Sequence, residues 1–443
     1  MEQALRKIVY LHCAGSMEAP VGGDGGSERL LRLTYVGAPG NKAPLVRVLI
    51  ITNEVPYPAI SGVRLRNYHL LRRVAAQHDV WLGAHLYTPA DADGVAHLQE
   101  FCKGVVTATL RPVPLRPHIP AMLRFAAAGQ PPDLELFYSR DLAQQLRALA
   151  SEVGFDIVHI EESILAPYLH LFPAGRSRRL LTFHNIGYLQ AARIAALESH
   201  WKGRWRTRAF SAHMRWWEPR YAARFDRCIA VSETERRLLL AANPRLHIDV
   251  VPNGVDVTTC QPLPITGHTP AVLFIGHMGY GPCVDAAQYL VTEILPLIRR
   301  SVPDAEVWLV GTDPSAAVTD LQSNGVHVTG RVSDVRPYYE RCAVAAVPLR
   351  AGGGTRLKIL EAMAFNRPVV STTIGSEGLD AIDAEHLLIA DSPATFADQV
   401  VRALQDRPLS ERLAATARDF VVARYDWDLI AAQQLRTYEE VVR

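Results

Sequence analysis

The stretch CAVAAVPLRAGGGTRLKILEAMAFNRPVV, residues 342–370, decides the fold of this chain. It starts with a short apolar run, which predicts a strand buried on both faces. A loop with three consecutive glycines, Gly352–Gly354, leads into a helical pattern over residues 356–364, and a second apolar run follows at Pro368. A strand, a helix and a second strand in this order predict a βαβ unit and therefore a parallel sheet.

The same alternation of apolar runs and helical patterns extends in both directions from this unit. Residues 257–270 interrupt it with three prolines and little periodicity, which predicts an interdomain linker. We therefore predict an α/β fold with two tandem Rossmann-like doubly wound domains, 46–256 and 271–424, facing a cleft, and a final helical segment, 425–443. The predicted strands are 46–53, 79–87, 156–161, 179–185, 226–232 and 249–254, then 271–277, 305–311, 326–332, 342–349, 368–373 and 386–390.

Length and composition narrow the classes of function. A chain of 443 residues is long enough for about two to three domains. Hydrophobic residues at 49% and charged residues at 21% exclude a largely disordered or fibrous protein. A net charge of +2 gives no reason to expect a nucleic-acid partner. The six cysteines form no CxxC and no zinc-type spacing, so we predict no metal, no bound cofactor and a reducing, cytoplasmic compartment.

Two segments bear on contact with membranes. Residues 1–45 lack the apolar core of a signal peptide and contain a glycine-rich stretch, which predicts a flexible leader. Residues 193–227 hold nine Lys or Arg against three acidic residues, with seven aromatic residues interleaved. This segment fits a helix with a buried aromatic face, or a helix in peripheral contact with anionic lipid. Stacking on single-stranded nucleic acid has the weakest support.

The glycine loop and the helix after it suit a phosphate group. Gly353 and Gly354 allow close approach of the backbone, and Thr355 is a candidate N-cap. The free N–H groups at a helix N-terminus attract anions. Arg356 and Lys358 lie in the first turn, where the helix dipole disfavours cations, so we expect an anionic ligand there.

Glu361 lies further along the same helix, roughly 9 Å from its start. That distance fits the separation between a diphosphate and a ribose, whose two hydroxyls a carboxylate can bind. The alternative is a surface ion pair between Glu361 and Lys358, three residues apart.

These motifs, together with VPNGVD (251–256), FIGHMGYGPCVDA (274–286), VTGRVSDVRPYY (328–339) and GSEGLD (375–380), resemble the family 4 (group 1) glycosyltransferases. The similarity is greatest to the exopolysaccharide-associated sugar transferases of bacteria. It implies the GT-B fold, with the C-terminal helix crossing back to the first domain. It also implies a nucleotide-diphosphate sugar as donor, bound mainly by the second domain, and metal-independent transfer with retention of anomeric configuration.

The resemblance also assigns residues. Glu361 matches the second glutamate of the family's E-x7-E motif, which holds the ribose, and His184 matches its active-site histidine. Gly353 occupies the position of the first glutamate. The loop that begins at Gly276 lacks the Arg and Lys that the family carries there. Our hypothesis is that cations of the helix after the glycine loop replace them.

The first domain supplies further candidates. His184 ends a predicted strand at the edge that faces the cleft, and it suits proton transfer or a hydrogen bond to the donor; a local strand cap is the alternative. The loop at Ser61 and Gly62 precedes a helix and either closes over the diphosphate or is an ordinary turn. His159 and Glu161, at another strand end, either line an acceptor pocket or are exposed polar residues.

The sequence thus predicts a retaining glycosyltransferase that moves a hexose-type unit from a nucleotide sugar to a saccharide or lipid-linked acceptor, in polysaccharide or glycoconjugate biosynthesis. It offers no convincing carboxylate nucleophile, so no covalent intermediate is predicted. Two alternatives stay open, a nucleotide-sugar epimerase of similar fold and a non-catalytic nucleotide-sugar-binding partner. We expect the protein in the cytoplasm, with residues 193–227 as the candidate for contact with the membrane.

Overall fold

The structure is a computed structural model that describes residues 45–89, 91–110, 123–125, 127, 129–197, 200–264, 270–354 and 356–443. Residues 1–44 of the predicted leader, 265–269 of the predicted linker and the candidate N-cap Thr355 lie outside this description.

The first half of the chain forms a seven-stranded parallel sheet in the order β3-β2-β1-β4-β5-β6-β7. Apolar runs explain its centre, because β1 and β4 are buried along nearly their whole length. The strands are β1 Arg47–Thr52, β2 Asp79–Leu86, β3 Gly104–Thr109, β4 Ile157–Glu161, β5 Arg178–Phe183, β6 Arg227–Ala230 and β7 Ile248–Val250.

Helices cover both faces of this sheet, so hydrophobic cores lie on either side of it. Serine side chains cap several helix starts; Ser61 accepts a hydrogen bond from the Arg64 N–H, and Ser232 accepts one from the Glu235 N–H. The helices are α1 Gly62–Ala75, α2 Asp91–Gln99, α3 Arg140–Val153, α4 Gly187–Leu197, α5 Trp201–Ala222 and α6 Glu233–Ala242.

The second half forms a six-stranded parallel sheet in the order β10-β9-β8-β11-β12-β13. Its strands are β8 Ala271–Ile275, β9 Glu306–Val310, β10 Val326–Val328, β11 Val344–Val347, β12 Val369–Ser371 and β13 Leu388–Ile389. Its helices are α7 Gly281–Tyr289, α8 Leu295–Ser301, α9 Ala316–Thr319, α10 Arg336–Arg341, α11 Leu357–Ala364, α12 Thr373–Ser376, α13 Pro393–Gln405 and α14 Arg407–Arg424. A π-helical turn, Leu290–Ile294, joins α7 to α8.

The last helix, α15 Trp427–Val442, crosses back and packs on the first sheet. Its residues Trp427 and Tyr438 are fully buried there, and the Trp427 indole stacks on the His69 ring with 5.2 Å between centroids. A parallel bridge between Val255 and Asp426 fixes where the chain returns. The predicted α/β fold of two doubly wound sheets, with a C-terminal helix that crosses back, is confirmed.

Each sheet has one point at which the strand order reverses direction. This switch point lies between β1 and β4 in the first sheet and between β8 and β11 in the second. Loops leave neighbouring strands in opposite directions at such a point, which opens a crevice at the carboxyl ends of the strands. The two crevices are therefore where the fold positions ligands.

The sequence missed one strand, β3. Its residues, GVVTAT, lie at the edge of the sheet and are mostly half-exposed, so they lack the continuous apolar run of a central strand. In the described part of the chain, no helix is both long enough and apolar enough to cross a membrane.

Candidate active site

The crevice of the second sheet is lined by the loops after β8 and β11, and a lysine spans it. The Lys358 ammonium, in the first turn of α11, lies 3.5 Å from Cys283 Sγ and 4.6 Å from the centre of the Phe274 ring. Gly276, directly after β8, leaves room for it, because a Cβ there would lie 2.8 Å from Lys358 Nζ. Lys358 thus places a positive charge at the loop that lacks the Arg and Lys of the family pattern.

The other cation of this crevice, Arg356, is the residue that precedes α11. Its guanidinium turns back onto the carbonyl oxygen of Gly353 and lies 3.4 Å from that of Ile374. Burial lowers its pKa, and its Nε atom is buried without a hydrogen-bond partner. Among the described residues, no carboxylate forms an ion pair with Arg356 or Lys358. Two unpaired cations in one crevice favour an anionic ligand.

The glycine loop after β11 meets the first domain directly. A Cβ at Gly353 would lie 2.9 Å from Asn185 Oδ1, and one at Gly354 would lie 2.6 Å from the carbonyl oxygen of His184. Gly354 also has φ of +68°, which favours glycine. A side chain at position 353 would therefore require Asn185 to shift.

Glu361 faces the same side of α11 one turn further along. Its carboxylate accepts a hydrogen bond of 3.0 Å from the Tyr339 hydroxyl. Burial raises the pKa of Glu361 to about 6, although Tyr339 and Lys358 oppose the shift. No salt bridge joins Glu361 to Lys358 among the described residues, so the structure does not support a simple surface pair.

Gly62 lies at the N-terminus of α1, where the first domain approaches α11. A Cβ at Gly62 would lie 3.2 Å from Leu357 Cδ1. The preceding Ser61 caps α1 and donates a hydrogen bond of 3.4 Å to Glu54. The N-terminus of α1 and that of α11 therefore meet at the cleft, as a loop that covers a diphosphate would require.

His184 follows β5 and is buried at the seam between the domains. Its Nε2 lies 2.8 Å from Glu161 Oε2. Burial alone would raise the pKa of Glu161, but His159, His184 and Arg66 together outweigh that effect and lower it. Glu161 is thus ionised, so Nε2 of His184 donates the proton. Burial lowers the pKa of His184, and the neutral ring keeps Nδ1 as an acceptor.

His159 and Glu161 are both buried, so neither is the exposed polar residue of the alternative interpretation. His159 is completely buried, and its two ring nitrogens contact the Tyr438 hydroxyl at 2.7 Å and Thr182 Oγ1 at 2.6 Å. It joins the first sheet to α15. Glu161 is 2% exposed, and its carboxylate is hydrogen-bonded to the His184 ring.

Three contacts across the cleft were not predicted. Arg193 of α4 forms a bidentate pair with Glu377 at 2.5 and 2.8 Å and donates to the carbonyl oxygen of Gly352 at 2.8 Å. Gln190 donates to the Tyr280 hydroxyl at 3.0 Å. The buried carboxyl of Glu235 faces the backbone of Gly354. For the Arg193–Glu377 pair, the only signal in the sequence was the position of Arg193, a basic residue at the start of segment 193–227 and apart from the other basic residues.

Helix α5 carries most of the basic aromatic segment, and its aromatic residues divide into two groups. Trp217 and Tyr221 are buried against the first domain. Trp201, Trp205 and Trp216 are 72%, 71% and 53% exposed. Exposed basic residues flank them, namely Lys202, Arg208, Arg215, Arg220 and Arg224. A buried aromatic face accounts for Trp217 and Tyr221 only. Contact with anionic lipid accounts for the three exposed tryptophans only.

Two facing Rossmann-like domains with a cation-bearing cleft define a GT-B protein. Two family models match the chain: Glycosyltransferase Family 4 over residues 60–259, and Glycosyl transferases group 1 over residues 269–406. The chain belongs to the family 4 (group 1) glycosyltransferases.

Proteins of similar sequence include the following two. An uncharacterized 44.6 kDa protein in the cps region of Klebsiella pneumoniae is 22% identical over 400 residues, 86% of this chain and 97% of that protein. The phosphatidyl-myo-inositol mannosyltransferase of Mycobacterium leprae is 29% identical over 325 residues, 69% of this chain and 79% of that enzyme.

Solved structures share the fold. Sucrose-phosphate synthase from Thermosynechococcus elongatus has a TM-score of 0.68 at 18% identity, over 89% of this chain and 99% of that chain. Anabaena Alr3699/HepE in complex with UDP-glucose has a TM-score of 0.61 at 15% identity, over 89% of this chain and 100% of that chain. At these identities the likeness concerns the fold alone.

Proposed function

We propose that this glycosyltransferase is a retaining, metal-independent hexosyltransferase. It takes its sugar from a nucleotide-diphosphate donor and passes it to a saccharide or lipid-linked acceptor in polysaccharide or glycoconjugate biosynthesis. The cps-region relative and the mannosyltransferase that acts on phosphatidyl-myo-inositol support this class of acceptor. The carrying observation is a pair of cations, Arg356 and Lys358, that have no carboxylate partner among the described residues and that flank the glycine loop packed against His184.

The second-domain crevice would hold the donor. Lys358 and the N-terminus of α11 would bind the diphosphate, with Gly276 and the glycines at 353 and 354 allowing it to approach the backbone. Glu361 would accept hydrogen bonds from the ribose hydroxyls. Arg356 would stabilise the glycine loop through its hydrogen bond to the Gly353 carbonyl oxygen and add positive charge next to that loop.

The reaction that fits this arrangement is a front-face displacement. The acceptor oxygen bonds to the anomeric carbon, the bond from that carbon to the diphosphate breaks, and its electron pair stays on the diphosphate oxygen. The same oxygen takes the acceptor proton, so no protein nucleophile is needed. Lys358 and the helix amides stabilise the charge that develops on the leaving group, which is the largest effect in many enzymes.

His184 would bind the donor sugar. With Nε2–H held by Glu161, the free Nδ1 can accept a hydrogen bond from a sugar hydroxyl near the reacting carbon. Glu161 acts as a positioning residue, because it fixes the tautomer and the orientation of the ring.

The exposed face of α5 would bring the protein to an anionic membrane. Its three exposed tryptophans and flanking Lys and Arg side chains match the composition of interfacial helices. We place the protein on the cytoplasmic side. The five cysteines in the described part of the chain are free and buried, which suits a reducing compartment.

One experiment tests the proposed reaction. Purified protein is screened by thermal shift against UDP-, GDP-, dTDP- and ADP-sugars, with donor hydrolysis measured in the same wells, with and without EDTA. We expect a single donor to raise the melting temperature and to be hydrolysed slowly in EDTA. Its sugar should be released or transferred with its anomeric configuration retained, as read by NMR. No stabilisation by any donor would remove the assignment of the second-domain crevice.

A second experiment tests membrane contact. The protein is sedimented with vesicles of phosphatidylcholine alone and with vesicles that contain phosphatidylglycerol, at two salt concentrations. Binding should require the anionic lipid, weaken with salt, and fall strongly in the double variant Trp201→Ala, Trp205→Ala. The variant Leu429→Ala, at an exposed apolar residue of α15, is the matched control. Equal binding by the double variant and the control would exclude α5 as the contact.

A further inference from the structure

The crevice of the first sheet contains a residue in an unfavourable conformation. Glu162 directly follows β4 at the switch point, with φ of 85° and ψ of 134°. A side chain other than glycine rarely adopts a positive φ, and such strain concentrates at functional sites. The backbone is held there by a hydrogen bond of 3.0 Å from the Glu162 N–H to the Thr182 carbonyl oxygen.

The carboxyl group of Glu162 is buried and unused. The residue is 6% exposed, and its Oε2 atom has no hydrogen-bond partner. Each neighbouring carboxylate has its own partner: Glu54 binds Arg64 at 2.6 Å, and Glu161 binds His184. Among the described residues no salt bridge joins a cation to Glu162, and burial together with Glu54 and Glu161 raises its pKa well above the usual range. Buried polar groups in native proteins are normally satisfied, so this orphan calls for a ligand.

The pocket that Glu162 faces has the chemistry of a sugar site. Its polar lining residues are Glu162, Ser163, His184, Asn185, Gln190 and Thr207, and its larger apolar ones are Ile164, Phe210 and Met214. Sugar rings present hydroxyls at their edge and C–H groups on their faces, which suits such a mixed wall. Among the described residues that line this pocket there is no Lys or Arg, so an anionic group would find no counter-charge in it.

We propose that one hydroxyl of a neutral saccharide acceptor enters this pocket and that the Glu162 carboxyl is its hydrogen-bond partner. The inference rests on the proposed function, because the pocket adjoins His184 at the cleft. A neutral carboxyl donates one hydrogen bond and accepts another, as a sugar hydroxyl also does. Glu162 transfers no proton in this proposal. The proton of the attacking hydroxyl still goes to the leaving diphosphate oxygen.

The test uses two variants of the full chain and simple probes. Methyl α- and β-glycosides of glucose, galactose and mannose are titrated by ligand-observed NMR, in the presence and absence of a nucleoside diphosphate. Glu162→Gly removes the carboxyl and relieves the strain, because glycine adopts positive φ freely. Glu162→Gln keeps a neutral group that donates and accepts. The control is Ala384→Gly. Ala384 is an exposed residue of the second domain with φ of 60°, so glycine relieves strain there without touching the pocket.

We expect at least one glycoside to bind the wild-type protein. Its dissociation constant should rise at least tenfold in Glu162→Gly, stay within about threefold in Glu162→Gln, and not change in the control. Nucleoside diphosphate affinity should not change in any variant, and Glu162→Gly should melt at or above the wild-type temperature.

Three results would overturn the proposal. The first is a wild-type protein that binds a nucleoside diphosphate but no glycoside. The second is a Glu162→Gly protein that keeps wild-type glycoside affinity. The third is a Glu162→Gln protein as impaired as Glu162→Gly, which would show that an ionised carboxylate is needed. Failure of the proposed function is separate, because it would appear as a wild-type protein without nucleotide binding or donor hydrolysis.

Discussion

The two crevices of this molecule occupy equivalent places in equivalent sheets, yet they carry opposite chemistry. In the second sheet, the loops after β8 and β11 bring together glycines and two cations, Arg356 and Lys358, without carboxylate partners among the described residues. In the first sheet, the loops after β1 and β4 bring together Glu54 and Glu162, and the Glu161–His184 pair lies beside them.

In the proposed function, this difference divides the work of transfer between the two sheets. Backbone amides and cations recognise a diphosphate through its charge. Carboxyl and imidazole groups recognise hydroxyls through hydrogen bonds. Because the sheets face each other at His184 and Gly354, the anionic end of a donor and the neutral ring of an acceptor would meet between them.

Replacing Lys358 by methionine should have the largest effect. The variant keeps the length of the side chain but removes the charge that spans the second crevice. We expect kcat/KM for the donor to fall by about 10²–10³, the range for a lost group that stabilises the transition state. Steady-state donor hydrolysis measures it. Lys202→Met, at an exposed lysine of α5, is the matched control and should behave as wild type on soluble substrates. A Lys358→Met enzyme within threefold of wild type would show that the cation is structural.

Replacing His184 by alanine should lower turnover by about 10² while changing donor affinity little, since the ring acts close to the reacting carbon. Single-turnover rates and calorimetric donor binding separate the two quantities. Glu161→Gln should give an intermediate loss, because it removes only the charge that orients the ring. His159→Gln is the control, because that histidine lies between β4 and α15 and should affect stability more than turnover. Equal turnover losses in the His159 and His184 variants would contradict this division.

Replacing Glu361 by alanine should weaken nucleotide binding by about 1–3 kcal/mol, the cost of losing hydrogen bonds to a charged group. With a pKa raised to about 6, Glu361 gains a proton as the pH falls from 7 to 5, so nucleotide affinity should fall over that range. Calorimetry against a nucleoside diphosphate at several pH values measures both effects. The change that Glu361 itself contributes should vanish in Glu361→Gln, whereas protonation of the diphosphate remains in every variant. Unchanged affinity in the alanine variant would remove Glu361 from the site.

The sequence was sufficient for the second crevice but not for the first. The segment that contains Gly353, Lys358 and Glu361 is continuous, so spacing along one loop and one helix places its groups together. His184 was predicted because it ends a strand and matches a motif. The predicted strand end at residue 161 matches the end of β4, but the partners of His159 and Glu161, which are Tyr438 and His184, lie in other elements and could not be inferred from an apolar run.

Glu162 was overlooked for a different reason. Its signals are a positive φ and the absence of a partner, and neither is visible in a string of letters. The pairs that close the cleft join residues far apart in sequence. Arg193 and Glu377, for example, are 184 residues apart. Long-range polar contacts of this kind follow from the fold and cannot be inferred from local pattern.

The smallest expected effect concerns the seam between the crevices. Burial raises the pKa of Glu235 to about 8, with Gly354 and Arg356 opposing the shift and Glu377 reinforcing it. If the domains separate, water reaches the Glu235 carboxyl and its pKa returns toward about 4.5. The closed state therefore binds more protons between these two pKa values, and its advantage over the open state shrinks as the pH rises toward 8.

The radius of gyration from small-angle X-ray scattering should accordingly increase slightly between pH 6.5 and pH 9. Glu235→Gln should hold the compact value at both pH values, because its amide stays neutral. Glu233→Gln, at a more exposed position of the same helix, should follow the wild type. If the glutamine variant expands as much as the wild type does, the proton on Glu235 does not hold the two crevices together. The contacts of Arg193 and Gln190 would then carry the closure alone.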